Sequence, residues 1–133
     1  MVVLDLNSGK LLQKLPYGVN EYPSAIAYKV FNQKKAGFEE RILKVFVGAS
    51  QLMNAEAGQE QFYSPQLGKI YSYVFDVELM IECATQASGA VYDMQVFSLG
   101  DRDFLVAGIN AHVKVYWIES DVPELDEKAE IDS

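Results

Sequence analysis

The hydrophobic positions of this chain fall in short alternating runs separated by polar turns. Val2–Leu6 is a brief apolar run closed by Asn7-Ser8-Gly9, a turn composition, and Lys10–Leu15 follows as its hairpin partner, ended by Pro16. Across Tyr22–Phe31, Ile26, Tyr28 and Val30 fall on one face and Ala25, Ala27 and Lys29 on the other, which is the period of a strand. Residues 32–41 read as a charged connection, and Ile42–Ala49 as a dense strand core. Residues 50–67 are mostly polar and read as a long surface loop, with helical propensity for one short turn between Leu52 and Gln61. Gly68–Phe75, Val77–Thr85, Ala90–Phe97, Phe104–Asn110 and Val113–Ile118 complete the predicted strands, the last two joined by a tight hairpin at Ala111-His112. Residues 119–133 carry little apolar content and are expected to form an acidic tail or loop.

Three pairs of segments recur in the same order. Tyr28-Lys29-Val30-Phe31 matches Met94-Gln95-Val96-Phe97, Val47-Gly48 matches Ala107-Gly108, and Ile70-Tyr71-Ser72-Tyr73 matches Val113-Lys114-Val115-Tyr116. The spacing shrinks along the chain, which places the extra length in the polar stretches 32–41 and 50–67. Repeated runs of antiparallel strands with loop insertions are the mark of propeller blades. The fold is therefore expected to be all-β: a β-propeller fragment of about two blades of four-stranded antiparallel sheet, over residues 1–118. Val2–Leu15 would supply the last two strands of one blade, Tyr22–Thr85 a full blade, and Ala90–Ile118 three strands of the next. A closed propeller has typically four to eight blades. The chain is thus expected to be a fragment, an incomplete gene model, or dependent on a partner.

Composition narrows the chemistry. Half of the 133 residues are hydrophobic, which suits a packed core rather than disorder. No apolar run approaches the roughly 20 residues of a membrane-spanning helix, and the start does not read as a secretory signal. The net charge of −8 is concentrated at one end, where residues 119–133 hold seven acids and one base. Nucleic-acid affinity draws on Lys and Arg neutralising phosphates, and the Lys34-Lys35 pair, followed by Glu39-Glu40, makes no such patch. Direct nucleic-acid contact is not expected from this segment.

No arrangement of catalytic residues emerges, so no catalytic, cofactor-binding or metal residues are assigned and no enzyme activity or cofactor is expected. His112 is the single histidine and reads as a turn residue, because a metal site or triad needs further partners at useful spacing. Asp101 and Asp103, which flank Arg102, read as a solvated turn. Cys83 is the one cysteine and reads as a small buried hydrophobe in a reducing compartment. The tyrosines Tyr63, Tyr71, Tyr73, Tyr92 and Tyr116 read as blade-packing side chains, since base-stacking platforms come with a basic groove. Gly48 and Gly108 read as sites of close packing inside strands.

Three stretches carry a family resemblance. They are Leu4-Asp5 through Leu15 with Asn20-Glu21-Tyr22; Val45-Phe46-Val47-Gly48-Ala49, an acidic loop, and Gly68-Lys69-Ile70; and Gly89-Ala90-Val91-Tyr92-Asp93-Met94 with Ala107-Gly108-Ile109-Asn110 and Val113-Lys114-Val115-Tyr116. Together they resemble the third propeller in the family of the large subunit of the UV-damaged-DNA-binding protein. That family is shared with the large cleavage-and-polyadenylation subunit and a spliceosomal branch-site subunit. The resemblance implies a WD-like propeller adaptor of the DNA-damage response and DNA repair, nuclear and cytoplasmic. Such an adaptor links substrate receptors to a cullin-RING ubiquitin ligase through a cleft that accepts a helix. Its partners would be substrate-receptor proteins and, through other parts of the parent chain, a cullin, with no membrane. Nucleic-acid binding is implied at the family level only. The candidate protein contacts implied are Tyr22, Ser50, Leu52, Glu56, Ala90, Tyr92 and Asp93. Ser24 stands where the family has an apolar cleft residue. For Tyr92 and Asp93, the reading as a core tyrosine beside a surface aspartate stays open. The alternative function is a scaffold subunit of an mRNA cleavage/polyadenylation or splicing complex.

Overall fold

The computed structural model describes residues 1–18, 20–51 and 67–132. The predicted loop over 50–67, apart from Ser50, Gln51 and Leu67, lies outside the described residues, as does Tyr63. Among the described residues ten strands form three antiparallel sheets. β1 (Val2–Leu4) and β2 (Leu11–Lys14) make a two-stranded half-blade. β3 (Glu21–Lys35), β4 (Phe38–Gln51), β5 (Leu67–Asp76) and β6 (Glu78–Ala87) pair in sequence order as a middle blade. β7 (Val91–Leu99), β8 (Arg102–Ile109), β9 (His112–Glu119) and β10 (Val122–Asp132) pair in the same way as a last blade. The chain is an all-β, propeller-like fragment, as its repeat predicts.

Two sequence expectations are corrected. Residues 32–41 are not a loop. β3 and β4 run on as a long ribbon to the pair Lys35 and Phe38, and the turn is Ala36-Gly37, both with left-handed φ (49° and 83°). That loop geometry suits the right-handed twist of the flanking strands. Nor are residues 119–133 a tail: residues 122–132 form β10, paired with β9 through two bulges. An outermost strand needs to bury little. Leu125 packs against the core while most of the strand is exposed, and acids on such an edge discourage pairing with another chain.

The blades stack face on face. The core between the middle and last blades holds Phe46, Ile70, Ala87, Val91, Met94, Leu105, Ala107, Ile109, Tyr116 and Ile118. A second cluster, Val45, Val47, Tyr73 and Leu79, receives Met1, Val3, Leu15 and Tyr17 from the half-blade and its continuation. The half-blade is clasped to β6 by the Gln13 carboxamide, which donates to the Leu79 carbonyl (2.8 Å) and accepts from its N–H (2.9 Å). It therefore occupies the position of the outer two strands of a blade.

Buried and half-buried phenols line both clusters. Burial raises the Tyr71 pKa to about 12, helped by the bonds its hydroxyl donates to the Glu21 carboxylate (2.8 and 2.9 Å). Burial likewise raises Tyr116 to about 12, reinforced by Glu127 and Glu130. Tyr17 is pushed up by burial and by its contact with the Tyr73 hydroxyl (3.3 Å). An unfolded tyrosine ionises near 10. The unfolded chain therefore loses these protons first. The stability tied to them is intact below about pH 10 and is lost as pH rises through about 12. The melting temperature is expected to fall across that window, and Tyr71→Phe to fall less steeply than wild type. Parallel wild-type and variant slopes in a calorimetric pH series would contradict the assignment.

Candidate functional site

The two middle-to-last blade strands nearest one another, β3 and β7, each carry a bulge near the start. In β3, Pro23 pairs with Ala49 and Ala25 with Gly48, so Ser24 is the extra residue. In β7, Val91 pairs with Ile109 and Asp93 with Gly108, so Tyr92 is the extra residue. A bulge bends the strand and re-aims its side chains. Strict alternation puts Val91 and Met94 on opposite faces; the bulge buries both and leaves Tyr92 and Asp93 exposed.

Five of the seven predicted contact residues come together here. Tyr22 pairs directly with Ser50, so their side chains share the face turned to the last blade. The Ser50 hydroxyl accepts from the Val91 N–H (3.2 Å), with Ala90 and Tyr92 on either side of that residue and Asp93 next along. Leu52 and Glu56 lie outside the described residues. The five divide by burial. Tyr22 (40% exposed), Tyr92 (59%) and Asp93 are available to a partner, whereas Ser50 and Ala90 are buried and act only as support. The Asp93 carboxylate accepts from the Met94 N–H (2.8 Å), which fixes its position beside Tyr92.

The support beneath is polar and dense. The Ser24 hydroxyl lies 2.6 Å from the Val91 carbonyl, 2.9 Å from the Ser50 hydroxyl and 3.2 Å from the Gly48 carbonyl. Ser24 thus stitches the two blades where an apolar side chain would leave the Val91 carbonyl unmatched. Three glycines make the approach possible. A Cβ at Gly48 would fall 2.4 Å from Val91 Cγ1, one at Gly68 2.2 Å from the Gly89 carbonyl oxygen, and one at Gly89 2.1 Å from Asn110 Nδ2. Asn110 itself adopts a φ of 54° at the β8–β9 turn and donates its N–H to the Ala90 carbonyl (3.1 Å).

Sequence reading missed Lys44, the other anchor of this junction. Its ammonium is buried and reaches Glu82 (3.3 Å) and the carbonyls of Glu119 and Val122 (2.9 Å each). The signal was present: a lone lysine inside the apolar run Ile42–Ala49 must find acceptors.

The remaining sequence candidates stand elsewhere. His112 opens β9, with its Nδ1 3.4 Å from Glu130, rather than sitting in the turn itself. Asp101, Arg102 and Asp103 line a cavity of about 470 Å³ with Phe31 and Trp117, at the β7–β8 turn. Arg102 lies over the Trp117 ring (4.1 Å), and Asp103 pairs with Lys29 (3.5 Å). Cys83 is half-buried, not buried, because it lies on the outer strand β6. Tyr73 and Tyr116 pack between blades as expected, whereas Tyr92 does not. Among the described residues no group of His, Cys, Asp and Glu is placed to hold a metal ion. Among the described residues no helix is long and apolar enough to cross a membrane. No family model matches the chain, and no curated protein matches it.

Proposed function

We propose that this chain is a protein-interaction segment of a propeller adaptor, one that holds substrate receptors for a cullin-RING ubiquitin ligase. The observation that carries the reading is the placement of Tyr92. It is the bulged residue of β7, largely exposed, beside Asp93 and at the same junction as Tyr22. An exposed tyrosine on a rigid base loses little conformational freedom on binding, which is what an anchor residue needs. Asp93 adds an acceptor for a donor or cation at the end of a receptor helix. The adaptor role and the cullin come from the family resemblance of the strands that build the junction.

The test is recovery of receptors on the tagged full chain from cells of its own source, with cullin-associated substrate receptors quantified by mass spectrometry. Tyr92→Ala is expected to reduce receptor recovery by about tenfold or more, because truncating an anchor costs roughly 2 kcal/mol. Its melting temperature should stay that of wild type, since the side chain packs against little. Equal recovery with wild type and Tyr92→Ala would sink the assignment. Recovery of mRNA-processing subunits in place of receptors and cullin would point instead to the cleavage and splicing branch of the family.

A further inference from the structure

A cavity of about 470 Å³ opens at the end of β7 opposite Tyr92. It falls within the roughly 300–1,000 Å³ of ligand pockets. Phe31 of β3 forms one wall, and Trp117 and Ile118 of β9 form the other. The rim is made by the β7–β8 turn, at Asp101 to Asp103, and by the β9–β10 turn, at Glu119 to Asp121. The middle blade grips both turns. Lys29 reaches the Ser98 hydroxyl (3.3 Å) and the Asp103 carboxylate (3.5 Å). The Gln33 carboxamide donates to the Ser120 hydroxyl, and the Lys44 ammonium donates to the carbonyls of Glu119 and Val122 (2.9 Å each). A site held from both sides in this way has little ordering left to do when a ligand arrives.

Walls and rim together select one kind of ligand. Phe31 and Trp117 offer aromatic surface, and the Trp117 ring already attracts cations, with the Arg102 guanidinium 4.1 Å and the Lys128 ammonium 4.3 Å from its centre. On the rim Arg102 is the one base, and Asp103 is matched by Lys29. The carboxylates of Asp101, Glu119 and Asp121 make no ion pair or hydrogen bond among the described residues. That excess of negative charge repels phosphates and acids. No group of acids, histidine and cysteine among the described residues is placed for a metal ion, which leaves an organic cation. We propose that this cavity docks an arginine- or lysine-bearing segment of a partner protein. The aliphatic stem of the basic side chain lies along Phe31 and Trp117, and its charged head reaches the rim carboxylates. Phe38, 78% exposed near the tip of the β3–β4 ribbon and on the same face as Phe31, gives an apolar contact to a neighbouring residue of that segment. The site stands on this cavity alone and does not rest on the adaptor reading.

Trp117 is the only tryptophan, so its indole N–H gives a single nuclear magnetic resonance signal that reports on the cavity. The experiment titrates the isotope-labelled full chain with a blocked peptide of glycine, leucine, arginine and glycine. A second peptide carries citrulline in place of arginine, which keeps the shape and removes the charge. The arginine peptide is expected to shift the indole signal to saturation, and the citrulline peptide to leave it in place. Asp101→Asn combined with Asp121→Asn should weaken the arginine peptide by about fivefold, the scale for losing two partly solvated ion pairs. Both side chains are exposed, so the melting temperature of that variant should match wild type. Tyr92→Ala should leave the titration unchanged, which separates this cavity from the receptor site. No indole shift, equal shifts with the two peptides, or full affinity in the double variant would each overturn the proposal.

Discussion

Lys44→Met is expected to lower the unfolding free energy by about 3 kcal/mol, the scale for breaking a buried ion pair from one side. The ammonium has three protons and three acceptors: the Glu82 carboxylate and the carbonyls of Glu119 and Val122. Methionine keeps the length and the apolar stem but offers no donor. Both carbonyls would then be left without that partner, each costing about 1–3 kcal/mol if water does not reach it. Glu82 is partly exposed and can recover water, which keeps the loss near the lower end. The Glu119 and Val122 carbonyls bracket the β9–β10 turn, so the loss should be local before it is global. Amide hydrogen exchange over residues 122–132 should accelerate in Lys44→Met well beyond the change across β3–β6. A urea midpoint equal to that of wild type, or exchange rising evenly over the whole chain, would refute the anchoring role.

The same anchor explains why β10 was not legible in the sequence. Residues 119–133 are read as a tail because their acids outnumber their apolar residues. A strand at the outside of a sheet satisfies its backbone on one side only and has to bury little; here the ladder to β9 and the grip of Lys44 on the turn are enough. What the pattern did reveal was wherever alternation is strict: the strands of both blades, their sequential pairing, and the repeat. In the first strand the repeat as the pattern suggests it is two residues out of register. The pairings make Ile26, not Tyr28, the counterpart of Met94. A slip of two keeps every side chain on its face, so hydrophobic pattern alone does not detect it. The candidate site was legible as a set of neighbours but not as a surface. Burial of Ser50 and Ala90, and exposure of Tyr92, follow from two single-residue bulges that leave no mark in periodicity.

Glycine substitutions should separate the filled junction from the open face. Gly68→Ala is expected to cost about 3 kcal/mol, at the upper end for overpacking, because the obstacles are backbone rather than flexible side chain. The added methyl would meet the Gly89 carbonyl oxygen at 2.2 Å and that of Ala49 at 3.0 Å. Neither can move without shifting β4 or the segment that leads into β7, and that segment runs through Ala90 directly into Val91 and Tyr92. Gly48→Ala meets Val91 at 2.4 Å and should cost less, about 2 kcal/mol, since a side chain can partly yield. Gly108→Ala, at the equivalent place on the last blade, meets only the Asp93 carbonyl at 3.9 Å, an ordinary contact. Its cost should be near zero, and alanine's smaller backbone entropy loss could offset it by about 0.5 kcal/mol. Urea midpoints at constant slope would order the three variants Gly68→Ala, Gly48→Ala, Gly108→Ala from least to most stable. A Gly108→Ala variant as unstable as Gly48→Ala would mean that the outer face is already filled in the isolated chain.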